Sequence, residues 1–298
     1  MSRVVFLLVP GLHLLDLAGP AQVFASAADL GLPYELVYVS EQALVPSAQG
    51  PALHAGTRLP ELSTEDLLLV PGWRAPRLAT TGPLSAATLD WLRAHRGTIA
   101  SVCAGADALG RAGLLDGRRC TTHHELQDEL ARRYPAATVV RDVLYVVDGR
   151  VVTSAGIASG IDLALHLVAT WHGPAVAAKI ARTMVVYARR NGDEHQASAL
   201  LRHRSHINDT VHHIQDVIES RVTDRLSLAE LARITGCSER TVTRLFGRAT
   251  GMTPLRYQQA LRVERAEHLI GQGATVESAA RAVGFEDGRM LRRLRART

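Results

Sequence analysis

Residues 227–270 read SLAELARITGCSERTVTRLFGRATGMTPLRYQQALRVERAEHLI. Ser227 followed three residues later by Glu230 is a capping box, the start signal of a helix. Leu228, Leu231 and Ile234 then recur at helical spacing. Gly236 suits the left-handed position that ends a helix, and Ser238 caps the next one. Val242, Leu245 and Phe246 give that second helix a core stripe, with Arg240, Thr243 and Arg244 on the opposite face. Two short helices joined by a glycine turn form a helix-turn-helix, whose second helix can enter the major groove. There an arginine forks onto guanine. Spacing alone leaves open an ordinary helical hairpin with a solvated basic face.

The residues after this helix pair decide between the two. Thr253-Pro254 opens a long helix, with proline at its first position. Residues 275–285, TVESAARAVGF, repeat the cap, short helix and glycine turn, and RMLRRLR (289–295) is a basic helix. Two such units on one connecting helix resemble the DNA-binding domain of the AraC/XylS regulators, through LFGRATGMTP, RVERAEHLI and VGFED. The resemblance covers about 90 residues. It implies base contacts from Arg240 and Arg244, with Thr243 on the same face, and phosphate contacts from Ser238, Arg248, Arg289, Arg292 and Arg293. Arg295 stands where that family usually has an apolar residue. The family's further segment, F-x-x-x-x-G-x-x-P-x-x-Y-R, is not found before Thr298. A looser core is therefore expected in the second unit.

The charge distribution agrees. The 298 residues carry a net +5. From Asp209 onward, 15 arginines against 11 acidic residues leave +4, so the first 208 residues carry +1. Positive charge thus collects in the segment that would meet phosphates. The length suggests two domains. The three cysteines, Cys103, Cys120 and Cys237, form no disulfide framework or zinc pattern, as in a reducing cytosol. VVFLLVP (4–10) is too short and weakly charged at its start for a signal peptide. No apolar stretch reaches the ~20 residues that span a bilayer. A cytoplasmic protein without membrane association is expected.

Working back to the N terminus, residues 4–9, 36–39, 67–70, 98–102, 144–147 and 151–154 read as strands. Helical patterns cover 21–30, 85–95, 105–113, 125–134, 159–171 and 174–190. Asp148-Gly149 signals a hairpin. The alternation predicts an α/β class, a three-layer sandwich on a mainly parallel sheet, followed by an all-α domain. The boundaries expected are 1–190 for the first domain, 191–208 for a polar linker and 209–298 for the DNA-binding domain. His195, His203, His206, His212 and His213 cluster about the linker without a convincing metal set and read as solvated. No metal or cofactor is expected.

Ser101-Val102-Cys103-Ala104-Gly105 lies where a strand turns into a helix, with small residues on both sides. This is the form of a nucleophile elbow with cysteine as nucleophile. A helix N terminus ahead of Cys103 would favour its thiolate; the alternative is a small buried cysteine filling the core. Asp162 and His166 share a helix face and could line a pocket or contact each other.

The strings FLLVPGLHLLDLAGP, LLLVPG, SVCAGADALGRAGLLDG and VVTSAGIASGIDLALHLV resemble the DJ-1/PfpI family of the class I glutamine amidotransferase-like superfamily. That resemblance implies Asp16 beside Cys103, with the Gly72 backbone N–H facing an anion and His123 as the nearby histidine. Ala104 follows Cys103 where family proteases carry histidine, which argues against protease activity. The two halves together resemble the GlxA-type transcription regulators. They imply a homodimer through the first domain, a small-molecule effector bound there and promoter DNA bound by the second. An alternative within the superfamily is a cysteine-dependent enzyme such as an isonitrile hydratase, with Cys103 attacking the isonitrile carbon and Asp16 managing protons.

Overall fold

The apolar run near the N terminus becomes strand β1 (Ser2–Leu7), with Val4, Val5, Phe6 and Leu7 wholly buried. It continues into helix α1 (Leu14–Asp29), β2 (Tyr34–Val39) and the pair β3 (Leu44–Pro46) and β4 (Ala52–His54). Then come β5 (Leu67–Val70), α2 (Ala86–Ala94), β6 (Ile99–Val102), α3 (Gly105–Arg111), β7 (Arg119–Cys120) and α4 (Gln127–Arg133). The region closes with β8 (Thr138–Val139), β9 (Tyr145–Asp148), β10 (Val151–Ser154), α5 (Ser159–His172) and α6 (Pro174–Thr183). The computed structural model describes residues 2–75, 77–78, 82–186, 190–193, 196, 203–204, 206–271 and 273–296. The chain divides into two units, Met1–Gln196 and Ala197–Thr298.

In the first unit the strand order is β2-β1-β5-β6-β10-β9. Every neighbouring pair is parallel except the β9–β10 hairpin. The central strands β5, β6 and β10 are buried at every position, the pattern of a sheet covered on both faces. Helices α1, α5 and α6 pack on one another, and α2 and α3 form a separate group with α3 on β5 and β6. This is the expected three-layer α/β sandwich. Strand order reverses between β1 and β5, a switch point where the strand ends open a crevice.

Two helices differ from their sequence patterns. α1 begins at Leu14, well before residue 21, and carries Pro20 inside it. A proline there removes one helix hydrogen bond. Leu17, Gly19 and Pro20 are buried, and α1 packs closely on α5: a Cβ at Gly19 would lie 2.9 Å from the Ile161 side chain and one at Gly160 3.3 Å from Pro20. Helix α6 stops at Thr183 rather than running to 190, and Val185 turns the chain at φ +55°. Residues 187–189 lie outside the described residues.

The second unit contains α7 (Asp209–Ser220), α8 (Leu228–Thr235), α9 (Glu239–Thr250), α10 (Pro254–Gly271), α11 (Val276–Ala282) and α12 (Gly288–Arg295). Its caps form as the sequence predicts: Ser227, Ser238 and Thr275 each accept a backbone N–H three residues on. Gly236 and Gly251 close α8 and α9 in the left-handed region, φ +66° and +73°. Glu230, however, does not reach back to complete the box; its carboxylate takes Arg221 at 2.6 Å.

Two separate apolar clusters hold this unit. Val211, Ile214, Ile218, Leu231, Val242, Phe246, Tyr257 and Leu261 form the first. Ala266, Ala279, Ala280, Val283, Phe285 and Leu291 form the second. The second helix-turn-helix thus has a packed core of its own, built largely on alanine. Arg295 lies outside that core and pairs with Glu267 on α10.

The histidines expected in a solvated linker are not all solvated. His206 and His212 stack at 4.3 Å, His212 Nε2 bonds the His206 carbonyl at 2.7 Å, and Gln215 donates to the His203 carbonyl at 2.8 Å. Polar positions of α7 hold this segment on the helix, with Arg204 also paired to Asp216 and Glu219. His195 lies outside the described residues.

Candidate functional site

Four strand ends meet on the first unit. After β1, α1 places Asp16 in its first turn. After β5 comes Gly72, whose carbonyl accepts His13 N–H at 2.9 Å. After β6 comes Cys103, and after β10 the loop Ala155-Gly156-Ile157. Asp16 Oδ1 accepts the Ile157 N–H at 2.8 Å. A side chain at Gly72 would sit 2.6 Å from Cys103 Cβ and closer still to Asp16 Oδ2, so this glycine lets the two groups approach. Gly156 does the same on the other flank, where a Cβ would lie 3.0 Å from Cys103 Sγ.

Cys103 has φ +54° and Ile157 φ +45°. Left-handed backbone is uncommon for any residue with a side chain and a real outlier for a β-branched one. Strain of this kind persists only where the surroundings impose it, and it clusters at functional sites. Here Cys103 N–H is held by the Ser154 carbonyl at 3.0 Å and its carbonyl by the Thr122 hydroxyl at 2.7 Å. The elbow geometry read from the sequence is present.

The protonation state differs from the sequence expectation. Cys103 is 6% exposed. Burial pushes its thiol up to about 12, and the Asp16 carboxyl beside it adds to the rise; only the Ala104 N–H works the other way. Helix α3 has seven residues and its field does not offset that. Asp16 is wholly buried, and burial raises its pKa too, against the Ile157 and Gly72 N–H groups and His13. Among the described residues no group meets hydrogen-bond geometry at its Oδ2, although the Cys103 thiol and the Gly72 N–H lie close enough to lower its pKa. The site therefore holds a thiol that stays protonated near neutral pH beside a carboxyl whose pKa burial raises. Such a pair can donate to a small polar ligand, or pass the thiol proton to the carboxylate when a thiolate is needed.

Beside it lies a cavity of about 210 Å³ lined by His123, His124, Leu144, residues 155–159, Arg190 and Gln196. His123 reaches this space. Among the described residues no contact joins its ring to the Cys103 thiol. Its ring is stacked on His124 at 4.2 Å, and burial, with His124, lowers its pKa. Asp162 contacts Arg190 with bonds of 3.1 and 2.6 Å, which fixes the guanidinium at the cavity wall. Gln196 is anchored by the carbonyls of Thr122 and Val143 at 3.0 and 3.1 Å. Arg190 and Gln196 were not legible as site residues: Arg190 read as the end of a helix and Gln196 as part of a polar linker, and only chain return brings them here. Among the described residues no group of three or more metal-binding side chains occurs, and no helix is long and apolar enough to cross a membrane.

The second unit presents a different surface. Leu228, Glu239, Arg240, Thr243 and Arg244 line an open concavity of about 500 Å³. Arg240, Arg244 and Arg248 are exposed and have no acidic partner among the described residues, as are Arg289 and Arg293. Arg292 is tied to Glu277 at 3.1 Å. The Ser238 hydroxyl is engaged in its cap, and the Thr243 hydroxyl donates to the Glu239 carbonyl at 3.0 Å, leaving its methyl outward. Unpaired guanidinium groups along one helix face supply the charge and the forked donors that nucleic acid recognition uses.

Comparison with known proteins finds both halves. Residues 2–170 match the DJ-1/PfpI family, and residues 231–298 match a helix-turn-helix domain. The HTH-type transcriptional regulator CdhR of Pseudomonas aeruginosa is 30% identical over 289 residues, 94% of this chain and 84% of its own. Isonitrile hydratase of Pseudomonas putida is 38% identical over 172 residues, 55% of this chain and 70% of its own. Among solved structures, an AraC family transcriptional regulator from Pseudomonas putida is similar at a TM-score of 0.53 and 26% identity. That match covers 62% of this chain and 100% of that one.

Proposed function

The chain belongs to the DJ-1/PfpI family, in the branch that joins this domain to an AraC-type helix-turn-helix domain, and from that premise we propose that it is a sequence-specific regulator of transcription. Its second unit binds promoter DNA in the cytoplasm. The observation that carries this reading is the row Arg240, Arg244 and Arg248, exposed and without an acidic partner among the described residues, on a helix capped at Ser238. Arg240 and Arg244 read base edges, Thr243 offers a methyl to the groove, and Arg248 and Ser238 hold phosphates. Arg289, Arg292 and Arg293 contact phosphates from the second helix-turn-helix. Footprinting on the DNA upstream of its own gene tests this. Replacing Arg240 or Arg244 with alanine is expected to cost about 1–3 kcal/mol and relax one base position. Wild-type affinity in both variants would remove the assignment.

The first unit is the sensor. It binds a small metabolite at Asp16, Gly72 and Cys103, with His123 at the cavity wall, and it dimerises. A buried thiol held protonated suits ligand hydrogen bonding better than resting nucleophilic attack.

A second reading is an enzyme of the isonitrile hydratase type. The strained elbow at Cys103 against Asp16 favours it, as does the likeness to that hydratase. Turnover of an isonitrile panel that disappears in Cys103→Ala supports the enzyme; ligand-shifted DNA binding without turnover supports the sensor.

A further inference from the structure

Helix α10 serves two cores that share no residue. Tyr257 and Leu261 belong to the first, Ala266 to the second. Between them sits Arg262, 9% exposed. Its Nε donates to the Val222 carbonyl at 2.6 Å and its Nη2 to the Asp224 carbonyl at 2.8 Å, both in the turn before α8. Its Nη1 donates to the Gly284 carbonyl at 2.9 Å, in the glycine turn of the second helix-turn-helix. The guanidinium carbon lies 5.7 Å from the Phe285 ring centre. One turn earlier, Gln258 donates to the same two carbonyls, Val222 at 3.1 Å and Asp224 at 2.9 Å. Gly284 (φ +86°) permits the approach: a Cβ there would lie 2.9 Å from Thr223 Cα.

A planar fork that bonds both turns at once fixes their separation and their rotation about α10, which a lysine's point charge could not do. The bonds shown between the turns of the two helix-turn-helix motifs are polar and run through Arg262. DNA needs that constraint. Two recognition helices on one face of the duplex must enter major-groove segments about 34 Å apart. The second contact gains affinity only if geometry holds both in register.

We propose that Arg262 is a positioning residue for DNA: it touches no base or phosphate, and it sets the two helix-turn-helix units for simultaneous engagement. This rests on the DNA-binding reading above. The test uses the full chain and three duplexes: the footprinted site, the same site with the second contacted segment scrambled, and the site with the first scrambled. Wild type is expected to prefer the full site to either half by a hundredfold or more, about the lower end of avidity gains. Arg262→Met is expected to lose about tenfold or more on the full site while its affinity for the first segment alone stays within about twofold. Arg262→Lys is expected to fall between. Gly284→Ala, which pushes the turns apart with Arg262 intact, is expected to repeat the Arg262→Met pattern. Equal losses on all three duplexes would reduce Arg262 to a fold residue and overturn the proposal. So would a full-site preference retained in Arg262→Met and Gly284→Ala. A wild type that protects no DNA overturns the DNA-binding reading, and this inference with it.

Discussion

At the scale of single residues, Asp16 and Cys103 show how far burial can reverse an expectation built from a local pattern. A thiol pushed up to about 12 is a poor nucleophile at neutral pH, whatever its elbow. Cys120 is wholly buried and pushed up to about 11, while Cys237 is half-buried in the turn of the first helix-turn-helix. Alkylation of the native protein, followed by mass spectrometry, should therefore modify Cys237 first. Cys103 should label more slowly, and faster once Asp16 is replaced by Asn, since a negative neighbour is gone. Asp16 also makes a stability prediction. Its folded pKa is raised, so the stability it contributes is present below the unfolded carboxyl's pKa and is lost as pH rises through the folded value. Asp16→Asn should accordingly stabilise the first unit near pH 7 by about 0.5–2 kcal/mol, with the gain fading below about pH 4. All three tryptophans, Trp73, Trp91 and Trp171, lie in the first unit, so urea unfolding followed by their fluorescence reads it separately.

At the scale of elements, Asp66 carries the opposite sign. It stands before β5 and receives Arg3 N–H at 2.9 Å, the Arg3 guanidinium at 2.7 Å and Ser63 N–H at 2.7 Å. Those bonds pin the start of β1 beside β5. Burial alone would raise its pKa, but the Arg3 guanidinium and the two N–H groups hold it well below the usual carboxylate range. A depressed folded pKa contributes stability that is present above the unfolded value and lost as pH falls through the folded one. Asp66→Asn should cost about 1–3 kcal/mol at pH 7, and the gap to wild type should narrow as the medium is made acid. The same fluorescence melts, run at both ends of that range, measure it. Elements also differ in how well the sequence announces them. The short pairs β3–β4 and β7–β8 have two or three residues per strand, too few for a period to show. Helix α1 was hidden by Pro20, which a local rule reads as a boundary and which packing against α5 retains.

At the scale of the whole molecule, α10 sets the spacing of any DNA contacts. Its 18 residues span about 27 Å at 1.5 Å per residue. With a helix-turn-helix packed near each end, the two recognition helices approach the spacing of successive major-groove segments. The footprint expected is two unequal contacts per protomer, the stronger from Arg240 and Arg244. The second helix-turn-helix should contribute mostly charge, with Arg292 already part-neutralised by Glu277. Replacing Arg292 and Arg293 with alanine should flatten the slope of log K against log salt by roughly 1–2. An unchanged slope in filter-binding titrations from low to moderate salt would mean that the second helix-turn-helix does not touch DNA.

The sequence by itself determined whatever depends on neighbours within a few residues. Caps at Ser227, Ser238 and Thr275, glycine stops at Gly236 and Gly251, the apolar runs of β1 and β5, and the elbow at Cys103 are all local, because a turn or a buried strand is specified by adjacent side chains. From these the two-domain fold and the arginine face could be read. Only the tertiary structure decided the chemistry at the first unit and the bonds that Arg262 makes to two turns of the second. The protonation of Cys103 depends on Asp16, which is distant in sequence. Arg190 and Gln196 reach the cavity after the chain has crossed the sheet. Arg262 gave one trace in the sequence, an arginine at helical spacing between Gln258 and Ala266 on a buried face. Its partners, Val222, Asp224 and Gly284, are brought to it by two cores. Burial and pairing are sums over contacts made at a distance, and no local pattern contains them.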